Sequence, residues 1–180
     1  AVIILGEDVT QTAARIALAL RQAVRNKGLD MAATIGVAPW QDAAVRNVAQ
    51  NQRSPLIQLT TASTRLADIA SESFALATDD IARYGFAVAH AFGAGPGVPD
   101  LSSEEQENIQ RIASVLREAK RPLVISGSGC QSASVVSAAR ALALALQQHN
   151  GETRVVYAVP EANTLGLALL DDAELSLAEL

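Results

Sequence analysis

Aromatic side chains are nearly absent from this sequence. Phe, Trp and Tyr together make up 3% of 180 residues, against 49% hydrophobic residues in all. A core with so few rings must close on Ala, Leu, Val and Ile, as layered α/β folds do. Basic residues are also short: 14 Lys and Arg face 19 Asp and Glu, a formal charge of -5. That balance argues against nucleic acid as a partner, because neutralising phosphates with Lys and Arg supplies most of such binding. No basic amphipathic face suits a lipid surface, and no run of about 18 apolar residues allows direct membrane insertion. Cysteine occurs once, as Cys130. One thiol makes no internal disulfide, and an iron–sulfur cluster ordinarily needs four ligands; a cytosolic setting fits. The two histidines, His90 and His149, have no Cys, Asp or second His at ligand spacing, so no metal site is expected.

What is present is order along the chain. The run Ala1–Leu5 reads as a buried strand, and since it starts at once, without Met or a signal peptide, the chain is expected to be part of a longer one. Gly6 breaks the strand. A helix is predicted from about Thr10 to Asn26, with Ala13, Ile16, Ala17, Leu20 and Val24 on one face and Gly28 as its stop. A shorter helix with Pro39 in its first turn follows, then a strand over Leu56–Thr60. The stretch 61–80 reads as loose. A helix over about Asp79–Phe92 leads to the segment "GAGPGVPDLSS", the clearest linker. Ser102 and Glu105 are spaced for a capping box, opening a helix through Ile109, Ile112, Ala113 and Leu116. "RPLVISGSG" is a strand and glycine turn, the next helix buries Val135, Ala139, Leu142 and Leu146 until Asn150-Gly151, and "RVVYAV" is the last strand.

Apolar strands alternating with helices predict an α/β fold. It is a Rossmann-like layered parallel sheet with helices on both faces. "VIILGEDVTQTAARIALAL" and "LVISGSGCQSASVVSAARALAL" repeat one order of elements, so two similar halves are expected: 1–93, a linker over 94–103, and 104–180, the second truncated.

Ligands of such sheets sit beyond the C-terminal strand ends. Three turns lie there: Gly6-Glu7-Asp8, Thr60-Thr61 and Gly127-Ser128-Gly129. Many such turns need glycine for packing alone. In the first, two acids stand where a phosphate could bind. A carboxylate at a helix N-terminus gains about 0.3–1 kcal/mol, whereas a phosphate 4 Å from a carboxylate meets about 4 kcal/mol of repulsion at an effective dielectric near 20. Glu7 and Asp8 are therefore expected to fill the anion site themselves. Thr78 is expected to cap its helix, with Asp79 and Asp80 in the first turn. His90 and His149 fall in last turns, where a protonated ring suits the dipole. Cys130 reads as a packed thiol rather than a nucleophile. Ser126, Ser128 and Ser132 lack a nucleophile-elbow pattern. Leu18, Leu144 and the tail "NTLGLALL" are apolar where solvent is expected, which suggests surfaces meeting other protein.

Three segments carry a family resemblance: "AVIILGEDVTQTAARIALALRQAV", "TRLADIASESFALATDDIARYGFAVAHAF" and "LREAKRPLVISGSG". Together the chain resembles the large G subunits of bacterial NADH-quinone oxidoreductase, respiratory complex I, in the region built like molybdopterin oxidoreductases. The resemblance implies a peripheral-arm piece of a proton-pumping enzyme that oxidises NADH and reduces quinone. It would lie on the cytoplasmic side of the inner membrane, held by other subunits. In catalytic relatives the first turn is Gly-x-Asn and holds a pterin dinucleotide's diphosphate; here it is Gly6-Glu7-Asp8. Their base-reading Asp falls near Thr60-Thr61, a second departure, and their Gly-Thr-Asp appears as Ala77-Thr78-Asp79, partly kept. The resemblance thus implies a vestigial pocket of Gly6, Glu7, Asp8, Thr61, Thr78 and Asp79, with no cofactor and no catalytic residue. Iron–sulfur clusters would lie on upstream cysteines. The rival readings are an active molybdopterin- or nucleotide-binding domain of a molybdenum enzyme, and the central domain of a thiamine-diphosphate enzyme, which "AKRPLVISGSG" also resembles.

Overall fold

Largely apolar strands need cover on both faces, and the fold supplies it. The structure, a computed structural model, describes residues 1–159 and 161–170. Five parallel strands, β1 (Val2–Leu5), β2 (Leu56–Thr60), β3 (Glu72–Ala75), β4 (Leu123–Gly127) and β5 (Arg154–Ala158), form one sheet in the order β3-β2-β1-β4-β5. Both segments flanking the glycine- and proline-rich stretch contribute strands to it. The far end of the segment expected to reach residue 180 lies outside the described residues.

Alternation along β1 divides the core in two. Ile3 and Leu5 join Ile57, Leu59 and Val124 under three helices, α5 (Thr78–His90), α6 (Ser103–Arg117) and α7 (Ala133–His149). Ile4 faces the other way, with Leu56 and Ile125, under α1 (Val9–Thr12) and α2 (Ala14–Ala23), which bring Val9 and Leu20, with Val24 just past α2. The small side chains that the composition demanded permit close approach: a Cβ on Gly85 of α5 would stand 2.9 Å from the Cβ of Ala138 on α7. The capping box forms as the spacing predicts, Ser102 accepting from the Glu105 N–H and Glu105 from the Ser102 N–H. Helix α7 ends at Asn150.

Several boundaries differ from the sequence expectation. The single helix expected over 10–26 is two pieces, α1 and α2, and a third helix, α3 (Asn26–Thr34), begins where it was expected to end. The first break falls at Ala13 (φ -146°, ψ 61°), beside Thr12, whose hydroxyl is turned to Glu7 and to the Asp8 carbonyl. Gly28 is no stop, since it lies inside α3. Its role is packing: an added Cβ would meet the Ala49 Cβ of α4 (Asp42–Ala49) at 2.6 Å. Pro39 precedes α4 rather than entering its first turn. Within the stretch read as loose lies β3, whose "ESFA" carries one large apolar residue and so shows little strand pattern.

Gly28→Ala sets two effects against each other. Alanine in place of a helical glycine gains about 1 kcal/mol. A methyl pressed on another methyl fixed to the backbone costs about 1–3 kcal/mol, because neither can rotate away. We expect net destabilisation of about 1 kcal/mol, read as a melting temperature lowered by about 2–4 °C.

Candidate functional site

The sheet order reverses at β1, which has β2 on one side and β4 on the other. Chain leaving β1 and β4 heads in different directions there, and the crevice between their C-terminal ends is where this architecture binds ligands. The turns Gly6-Glu7-Asp8 and Gly127-Ser128-Gly129 border it.

Gly6 takes φ 70° and its N–H donates to the Leu59 carbonyl at 2.8 Å. The position has no room for a side chain, since a Cβ would lie 2.7 Å from Val135 and 2.9 Å from the Cys130 sulfur. The next two acids then part company. Asp8 caps α1, accepting from the Thr10 N–H at 3.0 Å and the Thr10 hydroxyl at 2.6 Å. Glu7 crosses to the neighbouring strand's turn instead. Its carboxylate accepts from the Gly129 N–H at 2.9 Å and from the Thr12 hydroxyl at 2.5 Å, and the residue is 1% exposed. A Cβ on Gly127 would stand 2.3 Å from Glu7 Oε2, and one on Gly129 2.8 Å. The carboxylate therefore lies directly on the glycine turn. Only Asp8 caps the helix; Glu7, one methylene longer, spans the gap of about 4.8 Å between strands.

Cys130 sits beside this cluster, two residues before the Ser132 N-cap of α7. Its thiol donates to the Gly6 carbonyl at 2.7 Å. Burial pushes the thiol pKa up, the Glu7 carboxylate adds to the rise, and a hydrogen bond with Thr78 opposes it. The sulfur is a packed donor, as its sequence setting suggests, with less thiolate at neutral pH than an exposed cysteine. We expect alkylation of Cys130 at pH 7 to be slower than that of a cysteine in an unstructured peptide, and Glu7→Gln to speed it; unchanged rates in both comparisons would contradict the contact.

The remaining predicted residues separate. Thr78 is the first residue of α5 rather than its cap, which is Ala77, and it lies close enough to Cys130 to lower the thiol pKa. Asp79 and Asp80 do occupy the first turn, with Asp79 exposed. Thr60 is buried and donates to the Ala62 carbonyl, while Thr61 is exposed. The structure thus gathers Gly6, Glu7 and Thr78 around Cys130 and Gly129, and leaves Thr61 and Asp79 facing solvent. Ser126 is structural, donating to the Leu5 carbonyl across the sheet at 2.9 Å. His90 and His149 end α5 and α7.

Sequence reasoning missed Thr12 and Gln58. A threonine one helical turn beyond an acid was the only hint of the first. Gln58 is fully buried on the α1–α2 face; its carbonyl accepts from Thr64 and its Nε2 has no partner. A concave space of about 770 Å³ between α2, α3 and α4 is lined by none of the crevice residues. Three of its arginines are ion-paired, Arg21 with Asp68 and both Arg25 and Arg46 with Asp42, and Arg53 donates to the Asp68 carbonyl. Among the described residues no three His, Cys, Asp or Glu side chains gather to hold a metal. In the crevice the Glu7 carboxylate takes the Gly129 N–H.

No protein-family model matches the chain. It is 51% identical over 173 residues to the NADH-quinone oxidoreductase G subunit of Pseudomonas fluorescens, a match covering 94% of this chain and 19% of that protein. The G subunit of Salmonella typhimurium is 42% identical over 179 residues, covering 96% of this chain and 20% of that protein. That of Escherichia coli strain K12 is 42% identical over 176 residues, 97% and 19%. The chain spans about a fifth of the length of the curated relatives it matches.

Proposed function

We propose that this chain, as a homologue of one segment of the NADH-quinone oxidoreductase G subunit, serves as a non-catalytic structural and interaction domain of that respiratory enzyme. The parent complex oxidises NADH, reduces quinone and pumps protons. This segment belongs to its peripheral arm on the cytoplasmic side of the bacterial inner membrane and holds its place through other subunits. No described helix is long and apolar enough to cross a membrane. The iron–sulfur clusters of the G subunit belong on cysteines elsewhere in its polypeptide.

The observation that carries this reading is Glu7. A carboxylate, buried and hydrogen-bonded across the β1/β4 crevice, occupies the place a pyrophosphate would need and repels it by about 4 kcal/mol at contact distance. The pocket is a relic sealed by the protein's own acid. The test is acid extraction of the purified full-length polypeptide followed by mass analysis. The expected result is no pterin dinucleotide; one pterin per polypeptide would overturn the sealed pocket and favour an active molybdopterin domain.

The interaction role has its own support. Leu18 on α2 is 59% exposed and Leu144 on α7 is 49% exposed. Single exposed leucines are ordinary, but these stand on the outer surfaces of opposite layers. Replacing both with Lys should reduce recovery of the polypeptide in the assembled complex. Unchanged assembly would remove these two leucines from the contact surface.

A further inference from the structure

The two edges of the sheet are finished differently. At one edge β3 has four residues, with Ser73 and Ala75 exposed. Its Glu72 is ion-paired to Arg111 at 2.8 Å, and its Phe74 lies against Tyr84. Short, charged and small-residued, it is an edge closed to further pairing. At the other edge β5 reads Arg-Val-Val-Tyr-Ala, rich in strand-forming side chains. Arg154 donates its N–H to the Pro122 carbonyl and Ala158 accepts from the Ser128 N–H, so these residues bond toward β4. By the alternation of a parallel ladder, Val155 and Tyr157 turn their N–H and C=O groups outward. Their side chains are 42% and 40% exposed, and Val159 follows at 40%.

The next element completes the pattern. Helix α8 (Thr164–Leu170) follows β5 and exposes Leu165, Leu169 and Leu170. Strand β4, helix α7 and strand β5 form one crossover that moves outward across the sheet. Strand β5 and α8 are the first two parts of another. A right-handed connection in the same direction carries its helix over the same face as α7. Val155 pairs in register with Val124, which belongs to the core under α7. The exposed Val155 and Tyr157 side chains therefore stand on the face such a helix would cover, with leucines on the helix to cover them.

We infer that the outer edge of β5 is a docking edge for a sixth parallel strand, supplied by the same polypeptide outside these 180 residues. The relatives are about five times as long as this chain, so the covalently linked remainder meets the edge at a far higher effective concentration than any separate partner. Main-chain bonds to Val155 and Tyr157 would give the pairing, and an apolar residue on the α7 side would give its register. The inference rests on the proposed function for the identity of the occupant alone.

Residue-resolved hydrogen exchange on the full-length polypeptide, isolated and in the assembled complex, tests it, with the inward-bonded Val156 amide as the internal reference. The expected result is Val155 and Tyr157 amides slowed about tenfold or more relative to solvent-exposed strand amides, already in the isolated polypeptide. Protection gained only on assembly would hand the edge to a strand of another subunit and overturn the proposal. Free exchange in both states would leave the edge open and overturn it equally. Either outcome leaves the sealed pocket, read by pterin extraction, untouched.

Discussion

Glu7→Ala should lower the unfolding free energy of this chain by about 2 kcal/mol and its melting temperature by about 4–8 °C. The substitution strips an acceptor from the Thr12 hydroxyl and from the Gly129 N–H. A buried donor left without a partner costs about 1–3 kcal/mol. Two such losses would approach the upper end of what single substitutions do. However, Ser128 and Gly129 are exposed, so water can reach the vacated N–H, and the Thr12 hydroxyl keeps a weaker contact with the Asp8 carbonyl. These replacements hold the loss near the middle of the range. Glu7→Gln keeps one oxygen and the side-chain volume, and should lose about half as much. The crevice supplies a second readout. With the carboxylate gone, pyrophosphate at ten times its Kd would restore about 1.4 kcal/mol to Glu7→Ala by mass action. The unaltered chain should show no such shift. A parent protein that pyrophosphate stabilises, or a Glu7→Ala variant as stable as the parent, would contradict the geometry.

How much of this could be read from residues alone depends on the range of the interaction. The three-layer arrangement was legible because β1, β2 and β4 are short apolar runs set between helices, a pattern that local sequence carries. The capping box at Ser102 and Glu105 was legible for the same reason, its two halves being three residues apart. Strand β3 was not, since Glu72–Ala75 owes its conformation to β2, with Ile57 opposite Glu72 and Thr60 opposite Ala75. The break at Ala13 was hidden likewise, as it accompanies a contact between Thr12 and Glu7. At the site, the acidic character of the first turn was plain, but not the division of labour within it. Glu7 binds an N–H 122 residues away, and no window of sequence places Gly129 beside it. Gly28 shows the converse error: glycine after a helical run suggests a stop, whereas the position of Ala49 makes it a packing requirement.

Gly127→Ala should be the more damaging change, costing about 3 kcal/mol or more, beyond what most overpacked positions cost. The added methyl would stand 2.3 Å from the Ala158 carbonyl oxygen and 2.3 Å from Glu7 Oε2. These obstacles differ in kind. The carboxylate belongs to a side chain, yet it is held by Thr12 and Gly129 and cannot swing aside without losing both. The carbonyl belongs to β5 and accepts from the Ser128 N–H at 3.3 Å, so moving it loosens the end of the β4–β5 pairing. A double-variant cycle separates them. In a Glu7→Gly background one obstacle is gone, and Gly127→Ala should cost about 1 kcal/mol less than in the parent, a coupling within the usual range for contacting residues. Thermal unfolding of the four proteins measures it. Zero coupling would mean that the Glu7 carboxylate does not rest on Gly127, and the crevice would then have space for an anion. Coupling equal to the whole cost would place the strain on the acid alone and leave the β5 edge free to shift. The intermediate value is what a carboxylate wedged between a glycine turn and a fixed strand requires.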